Sequence, residues 1–238
     1  MKKLLFIGMI IPVFSIAQNS AIVSITRFFP KSDKFAEFEK AAKNHAQKYH
    51  TGDYKWRVYT VETGPDAGSY MMVEGAPSWE HIDKRGTLGT DHNNDLYKNL
   101  LPTVDKTTQM FITFREDLSS VQQGDYSEKA AITHVFPKVG KSLMTENDIK
   151  SSKKVWEESK QNVAVYEASS SGPAQYLLVY RYKDGLKERD PGFRKPVKER
   201  YDAVYGAGAY DKFMASIAEA TESAWGEMIY YNADLSSK

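Results

Sequence analysis

The chain of 238 residues contains no cysteine. Without thiols it cannot form disulfides, bind a metal through thiolates or use a cysteine nucleophile. No sign of charge dominates, because 32 basic residues stand against 31 acidic ones, so electrostatics gives no indication of nucleic acid or an anionic membrane as a partner. Apolar residues make up 41% of the chain and charged residues 26%, which is typical of a domain stabilised by its hydrophobic core.

The short motifs of several enzyme classes are also missing. The sequence has no GxSxG, HExxH, P-loop or dinucleotide-binding fingerprint, so the enzymes that carry them are not indicated. His45 lies on the apolar stripe of a predicted helix, where a hydrogen-bonded core histidine is expected more often than a ligand. On one continuous helix His45 and His50 would diverge by about 140°. We therefore expect no metal site and no cofactor, and no catalytic residue can be assigned.

The first twenty residues, MKKLLFIGMIIPVFSIAQNS, have the pattern of a secretory signal peptide. Two lysines precede an apolar run over residues 4–16, and Ser15 and Ala17 occupy the small-residue positions of a cleavage site. The run is shorter than the roughly 20 residues of a membrane span and contains Pro12. We expect residues 1–17 to be removed, leaving an exported protein, periplasmic or extracellular, without a membrane span.

Two stretches of the chain are nearly the same. AITHVFPK at residues 131–138 agrees with SITRFFPK at residues 24–31 in five of eight positions. Residues 57–73 and 114–120 find similar counterparts at 164–179 and 231–237, in the same order along the chain. A chance match would not extend in this way. The sequence therefore predicts two copies of one unit, over residues 18–124 and 125–238.

Each copy has the periodicity of a βαββαβ unit. In the first copy the pattern predicts strands at residues 21–29, 55–62, 69–74 and 109–115, a helix from Ser32 or Asp33, and a second helix over 91–104. In the second copy it predicts strands at residues 130–136, 163–167, 175–182 and 225–231, a helix opened by a capping box at Thr145 and Asp148, and a long helical region broken at 206–208. This order is ferredoxin-like.

The strands are apolar on both faces. Leu177 and Val179 alternate with Tyr176, Leu178 and Tyr180, so both sides of the sheet need cover. We therefore predict an α+β fold in which tandem ferredoxin-like βαββαβ repeats pack sheet to sheet as an intramolecular α+β barrel. Such a chain would be a monomer with an internal pseudo-dimer, or a weak homo-oligomer.

On this element order and pattern the chain resembles the dimeric α+β barrel superfamily, especially its antibiotic-biosynthesis-monooxygenase-like branch, with two copies fused. Members of that branch often carry a Trp and a His after the third strand, and here Trp79, His81 and His92 follow it. Haem-degrading relatives have an Asn on the first strand, where this chain has Thr26 and Arg27. The resemblance therefore implies a cofactor-independent monooxygenase-like activity and does not imply haem degradation.

Arg27 and His134 occupy the same place in the two copies, within apolar strands. Burying an ionisable side chain without a partner costs several kcal/mol, so each must reach solvent, a partner or a cavity. The alternatives are escape to solvent at the strand end and a ligand cavity in each half. Under the second alternative the candidate ligand-binding residues are Arg27, Tyr59, Trp79, His92, His134 and Tyr176.

Three functions stay open at this point. The first is an exported protein that binds a small apolar or aromatic molecule in a barrel pocket, since 15 tyrosines can line an apolar pocket with hydroxyl groups. The second is the monooxygenase-like enzyme implied by the resemblance. The third is a cell-envelope interaction protein, which an exposed apolar patch would indicate.

Overall fold

Eight strands form one closed antiparallel barrel in the computed structural model, which describes residues 21–76, 78–122, 124–168 and 172–238. The strands are β1 (Ile22–Pro30), β2 (Trp56–Val61), β3 (Tyr70–Ala76), β4 (Val104–Phe114), β5 (Lys129–Pro137), β6 (Val163–Ala168), β7 (Tyr176–Arg181) and β8 (Thr221–Tyr231). Their order around the barrel is β1-β3-β2-β8-β5-β7-β6-β4. The predicted barrel is confirmed, whereas the predicted signal peptide lies outside the described residues.

Six α-helices of the described part of the chain lie outside the barrel. They are α1 (Phe35–Tyr49), α2 (Trp79–Arg85), α3 (Thr90–Asp95), α4 (Ser142–Glu158), α5 (Val197–Tyr205) and α6 (Ala209–Ala220). A π-helical turn at Leu96–Leu100 and a 3-10 turn at Leu101–Thr103 connect α3 to β4. Among the described residues, no helix has the length and apolar character needed to cross a membrane.

The barrel is closed by two seams between the halves of the chain. Strands β4-β1-β3-β2 lie side by side, as do β8-β5-β7-β6, and the seams pair β2 with β8 and β4 with β6. The register shifts at Phe29/Pro30 in β1 and again at Phe136/Pro137 in β5. Proline cannot donate to a strand ladder, which explains why both strands end there.

Both faces of the sheet are buried, as the alternation predicted. One apolar cluster fills the barrel interior and includes Leu177. Two others lie between the outer sheet face and the helices: one contains Phe38 of α1 and the other contains Tyr176 and Leu178. The core therefore has three layers.

One predicted helix start is wrong, and one predicted helical region is divided. Helix α4 begins at Ser142, so Thr145 lies buried in its first turn and no side chain caps the helix. The helical region predicted over 91–104 is divided, because α3 ends at Asp95 and the following turns have π and 3-10 geometry. Strand β4 begins earlier than predicted because its polar first half still pairs with β1.

The core layer beneath α1 yields a first prediction. Phe38 is fully buried, whereas Phe35, three positions earlier, is 42% exposed. Phe38→Ala should lower the free energy of unfolding by about 3–5 kcal/mol, because it leaves a cavity in a packed layer. Phe35→Ala, the control on the same helix, should change it by less than about 1 kcal/mol. Urea denaturation of both variants tests this, and equal effects would contradict the packing described.

Candidate functional site

Arg27 and His134 meet at one buried carboxylate inside the barrel. The Arg27 guanidinium donates to both oxygens of Glu227, with Nη1 2.9 Å from Oε2, and His134 Nε2 lies 3.0 Å from Oε1. All three side chains are buried. The alternative that these side chains escape to solvent is therefore wrong, and the two residues share one partner rather than lining separate cavities.

Other contacts complete this network. The His134 ring stacks on Trp225 with centroids 3.8 Å apart, and its Nδ1 lies 3.2 Å from Gln175 Oε1. Burial alone would raise the pKa of Glu227, but hydrogen bonds from His134 and Arg27 outweigh it and the pKa falls below its usual value. Arg27 also pairs with Asp66 at 3.6 Å, and the geometry of the network is that of an internal tie between the halves.

A second buried cluster consists of three histidines of the first half. Helix α1 ends at Tyr49, and His50 follows with non-helical φ −98 and ψ 74. The ring of His50 therefore turns back to lie 5.3 Å from that of His45, and the ring of His92 lies 4.7 Å from His45 and 5.3 Å from His50. The expectation that His45 and His50 diverge is wrong, because it assumed one helix through both.

Each histidine of the cluster directs its Nδ1 atom at an oxygen acceptor. The pairs are His45 with Asp95 Oδ2 at 2.7 Å, His50 with Glu74 Oε2 and the Tyr54 carbonyl at 3.1 Å each, and His92 with Asn93 Oδ1 at 3.1 Å. Because the carboxylate oxygens of Asp95 and Glu74 accept, the neutral rings of His45 and His50 carry their proton on Nδ1. The Nε2 atoms of His45 and His50 are buried without a hydrogen-bond partner.

The surroundings keep the rings of His45 and His50 neutral. Burial lowers the pKa of His45 to about 4 and lowers that of His50 as well, although carboxylate contacts oppose the shifts. For Glu74, burial acts to raise the pKa, but hydrogen bonds from His50 and Arg85 bring it below its usual value. At neutral pH His45 and His50 each hold an unshared electron pair on Nε2. One ligand atom from each of the three histidines lies within 4.8 Å of the others, so this cluster could hold a metal ion.

Two internal spaces are relevant to a ligand. The barrel interior leaves a cavity of about 60 Å³ between apolar side chains. A larger space of about 240 Å³, here called the chamber, lies between the outer sheet face of the first half and α2. The chamber is lined by Ser24, Thr26, Trp56, Met72, Glu74, Ile82, Arg85, Gly86, Gln109 and Phe111.

The remaining candidate residues from the sequence lie in separate places. Tyr59 is in the barrel interior, where burial raises its pKa to about 12. Tyr176 is on the outer sheet face in the apolar layer with Ile149 of α4. Trp79 is 44% exposed and contacts Phe111 edge-on. The six candidates do not converge on one cavity, and Glu227, which joins two of them, was not among them.

The comparisons with known proteins show a shared fold. No protein-family model and no curated protein matches the chain. A solved structure from Lactobacillus acidophilus, provisionally described as a monooxygenase, has 10% identity and a TM-score of 0.54, covering 92% of this chain and 96% of its own.

Two further structures have the same TM-score. An anthrone oxidase-like protein has 10% identity and a TM-score of 0.54 over 90% of this chain and 92% of its own. A protein from Fusobacterium nucleatum, also provisionally described as a monooxygenase, has 13% identity and a TM-score of 0.54 over 90% of this chain and 93% of its own. At such identities the likeness concerns the eight-stranded α+β barrel.

The carboxylate network yields the second prediction. Glu227→Gln should lower the free energy of unfolding by about 3 kcal/mol near neutral pH, because it leaves the buried Arg27 with only the more distant Asp66, 3.6 Å away, as a counter-charge. Since the folded pKa of Glu227 is lowered, the parent's advantage should be complete above the unfolded pKa of about 4.3 and should disappear as pH falls through the folded value. The exposed Glu222, on the same strand, provides the control Glu222→Gln. Unfolding measured from neutral to acidic pH tests this, and a pH-independent difference would contradict it.

Proposed function

We propose that the protein binds a small apolar or aromatic molecule in the chamber of its first half. The observation that carries this proposal is the chamber itself, about 240 Å³ between the sheet and α2. Ligand sites usually measure about 300–1,000 Å³, so a space of this size suits a molecule of about one aromatic ring. The interior cavity of about 60 Å³ is less suitable, and this moves the expected pocket from inside the barrel to its outer face.

The chamber wall combines apolar surface with hydrogen-bonding groups. Trp56, Met72 and Phe111 supply the apolar surface, and Ser24 is 3.2 Å from the Gln109 amide nitrogen. Glu74 and Arg85 form an ion pair at one side. The wall is about equally polar and apolar, so it suits an aromatic ring that bears polar substituents better than a purely apolar molecule.

Helix α2 is suited to admit a ligand. It has no buried residue, so little apolar area holds it against the sheet. The Ser78 side chain accepts a hydrogen bond from the His81 backbone N–H at its start, and Gly86 with φ 56 ends it. Opening this short helix would expose little apolar area but would break the ion pair of Arg85 with Glu74, so that pair is the main tie to be released.

An internal duplication and export of the chain form part of the same proposal. We infer that residues 18–124 and 125–238 are two copies of one ferredoxin-like unit. The matching strand orders β4-β1-β3-β2 and β8-β5-β7-β6 and the matching shifts before Pro30 and Pro137 support this. Export to the periplasm or beyond, after cleavage at residue 17, rests on the N-terminal sequence pattern alone.

A second candidate is a monooxygenase-like enzyme acting on the same class of molecule. The observation that favours it is the fold shared with an anthrone oxidase-like protein and with structures provisionally described as monooxygenases. One fold supports many activities, so this candidate needs turnover, whereas the first needs binding alone. Oxygen consumption with any molecule that binds would separate the two.

The chamber yields the third prediction. Ser24→Phe should fill the chamber and abolish binding of small fluorinated aromatic alcohols and acids, observed as loss of line broadening in fluorine NMR. The control is Ala131→Phe, because Ala131 has the same place in the matching strand of the second half. Ala131→Phe should bind like the parent. A parent that broadens none of these probes, or a Ser24→Phe variant that binds them unchanged, would contradict the chamber as the site.

A further inference from the structure

We propose that His45, His50 and His92 form a binding site for one divalent first-row transition metal ion, with Zn²⁺ as the reference ion. This site is next to the chamber but does not depend on the proposed function.

Two ring nitrogen atoms of the cluster lack a hydrogen-bond partner. They are Nε2 of His45 and Nε2 of His50, and both rings are fully buried. An unsatisfied buried polar atom costs about 1–3 kcal/mol, and here two lie in one cluster. A metal ion uses both electron pairs at once. Tetrahedral bonds of about 2.0–2.1 Å place nitrogens about 3.4 Å apart, so ligand atoms now within 4.8 Å need only modest ring rotations.

Two carboxylates hold the rings of His45 and His50 in place. Asp95 receives the Nδ1 hydrogen of His45, and Glu74 receives that of His50. Carboxylates placed behind metal-ligating histidines fix the tautomer and make Nε2 a better ligand. They also place two negative charges near the centre, one of them already paired with Arg85, so they offset part of the charge of a divalent ion. Glu74 is itself fixed by the indole N–H of Trp56 at 3.1 Å and by Arg85.

The matching place in the second half is filled by different side chains. Helices α1 and α4 begin 107 residues apart, at Phe35 and Ser142, so His45 corresponds to Ser152. The cross-strand pair of Trp56 with Glu74 corresponds to Val163 with Tyr180. There the layer is filled by aromatic packing, with Trp156 and Tyr180 rings 6.1 Å apart. The fold is thus built without imidazoles at the matching place, and packing does not explain the cluster.

The ligand chemistry favours a transition metal ion. Neutral imidazole suits Zn²⁺, Co²⁺, Ni²⁺ and Cu²⁺, whereas Mg²⁺ and Ca²⁺ prefer oxygen ligands. Three histidines leave the fourth tetrahedral position for water or another small ligand. Because Glu74 and Trp56 belong both to this surround and to the chamber wall, the metal site would lie directly behind that wall.

The test is metal binding by tag-free protein after chelator treatment. Calorimetry with Zn²⁺ and absorption spectroscopy with Co²⁺ should each show one ion per chain, and Co²⁺ should give the visible bands of tetrahedral nitrogen coordination. His50→Gln and His92→Gln should each lower the affinity by more than about 100-fold. Asp95→Asn, which acts through His45, should lower it by about 10–100-fold. His81→Gln, a histidine of the same half outside the cluster, should bind like the parent.

Three results would overturn the metal site. They are no stoichiometric binding by the parent, an unchanged affinity in both His50→Gln and His92→Gln, and an equal loss in His81→Gln. Circular dichroism and thermal unfolding of every variant show whether a loss reflects unfolding, and the two histidine variants provide independent chances of a folded protein. The fluorinated probes are measured on the same samples. Probe binding without metal binding contradicts the metal site alone, and metal binding without probe binding contradicts the proposed function alone.

Discussion

Five strands of this barrel, β1, β2, β3, β6 and β7, bury side chains on both of their faces, and much of the structure follows from that constraint. The inner faces cover one another, which fills the interior and leaves about 60 Å³. The outer faces need helices, and α1 and α4 supply most of that cover. Space remains where the cover is thin, beneath α2. The chamber is therefore a consequence of how a two-faced sheet is covered by helices of unequal size.

Buried polar groups are placed where the two halves, or a helix and the sheet, meet. Glu227 receives hydrogen bonds from Arg27 on β1 and His134 on β5, so one carboxylate ties both halves inside the barrel. The three histidines lie where the end of α1 meets α3 and the outer sheet face. The first network is satisfied, whereas the second leaves two nitrogens unpaired. This difference separates a structural tie from a candidate binding site.

Much of the fold was predictable because apolar side chains alternate along the strands in a pattern that the sequence shows. The two-sided alternation around Leu177 and the repeated Phe-Pro strand ends led directly to a barrel. The sites were less predictable because they depend on single backbone turns and distant pairings. His50 joins its cluster only because α1 ends one residue earlier. Glu227, the single acid in an apolar stretch, was a visible sign, but its partners lie 93 and 200 residues away.

The first half of the chain brings three imidazoles together, and we propose that they hold one metal ion. X-ray absorption spectroscopy at the zinc edge, on protein loaded with one equivalent of Zn²⁺, measures their coordination. We expect three imidazole nitrogens at about 2.0–2.1 Å and one further ligand such as a water oxygen. Coordination by oxygen alone, or by fewer than two imidazoles, would contradict it.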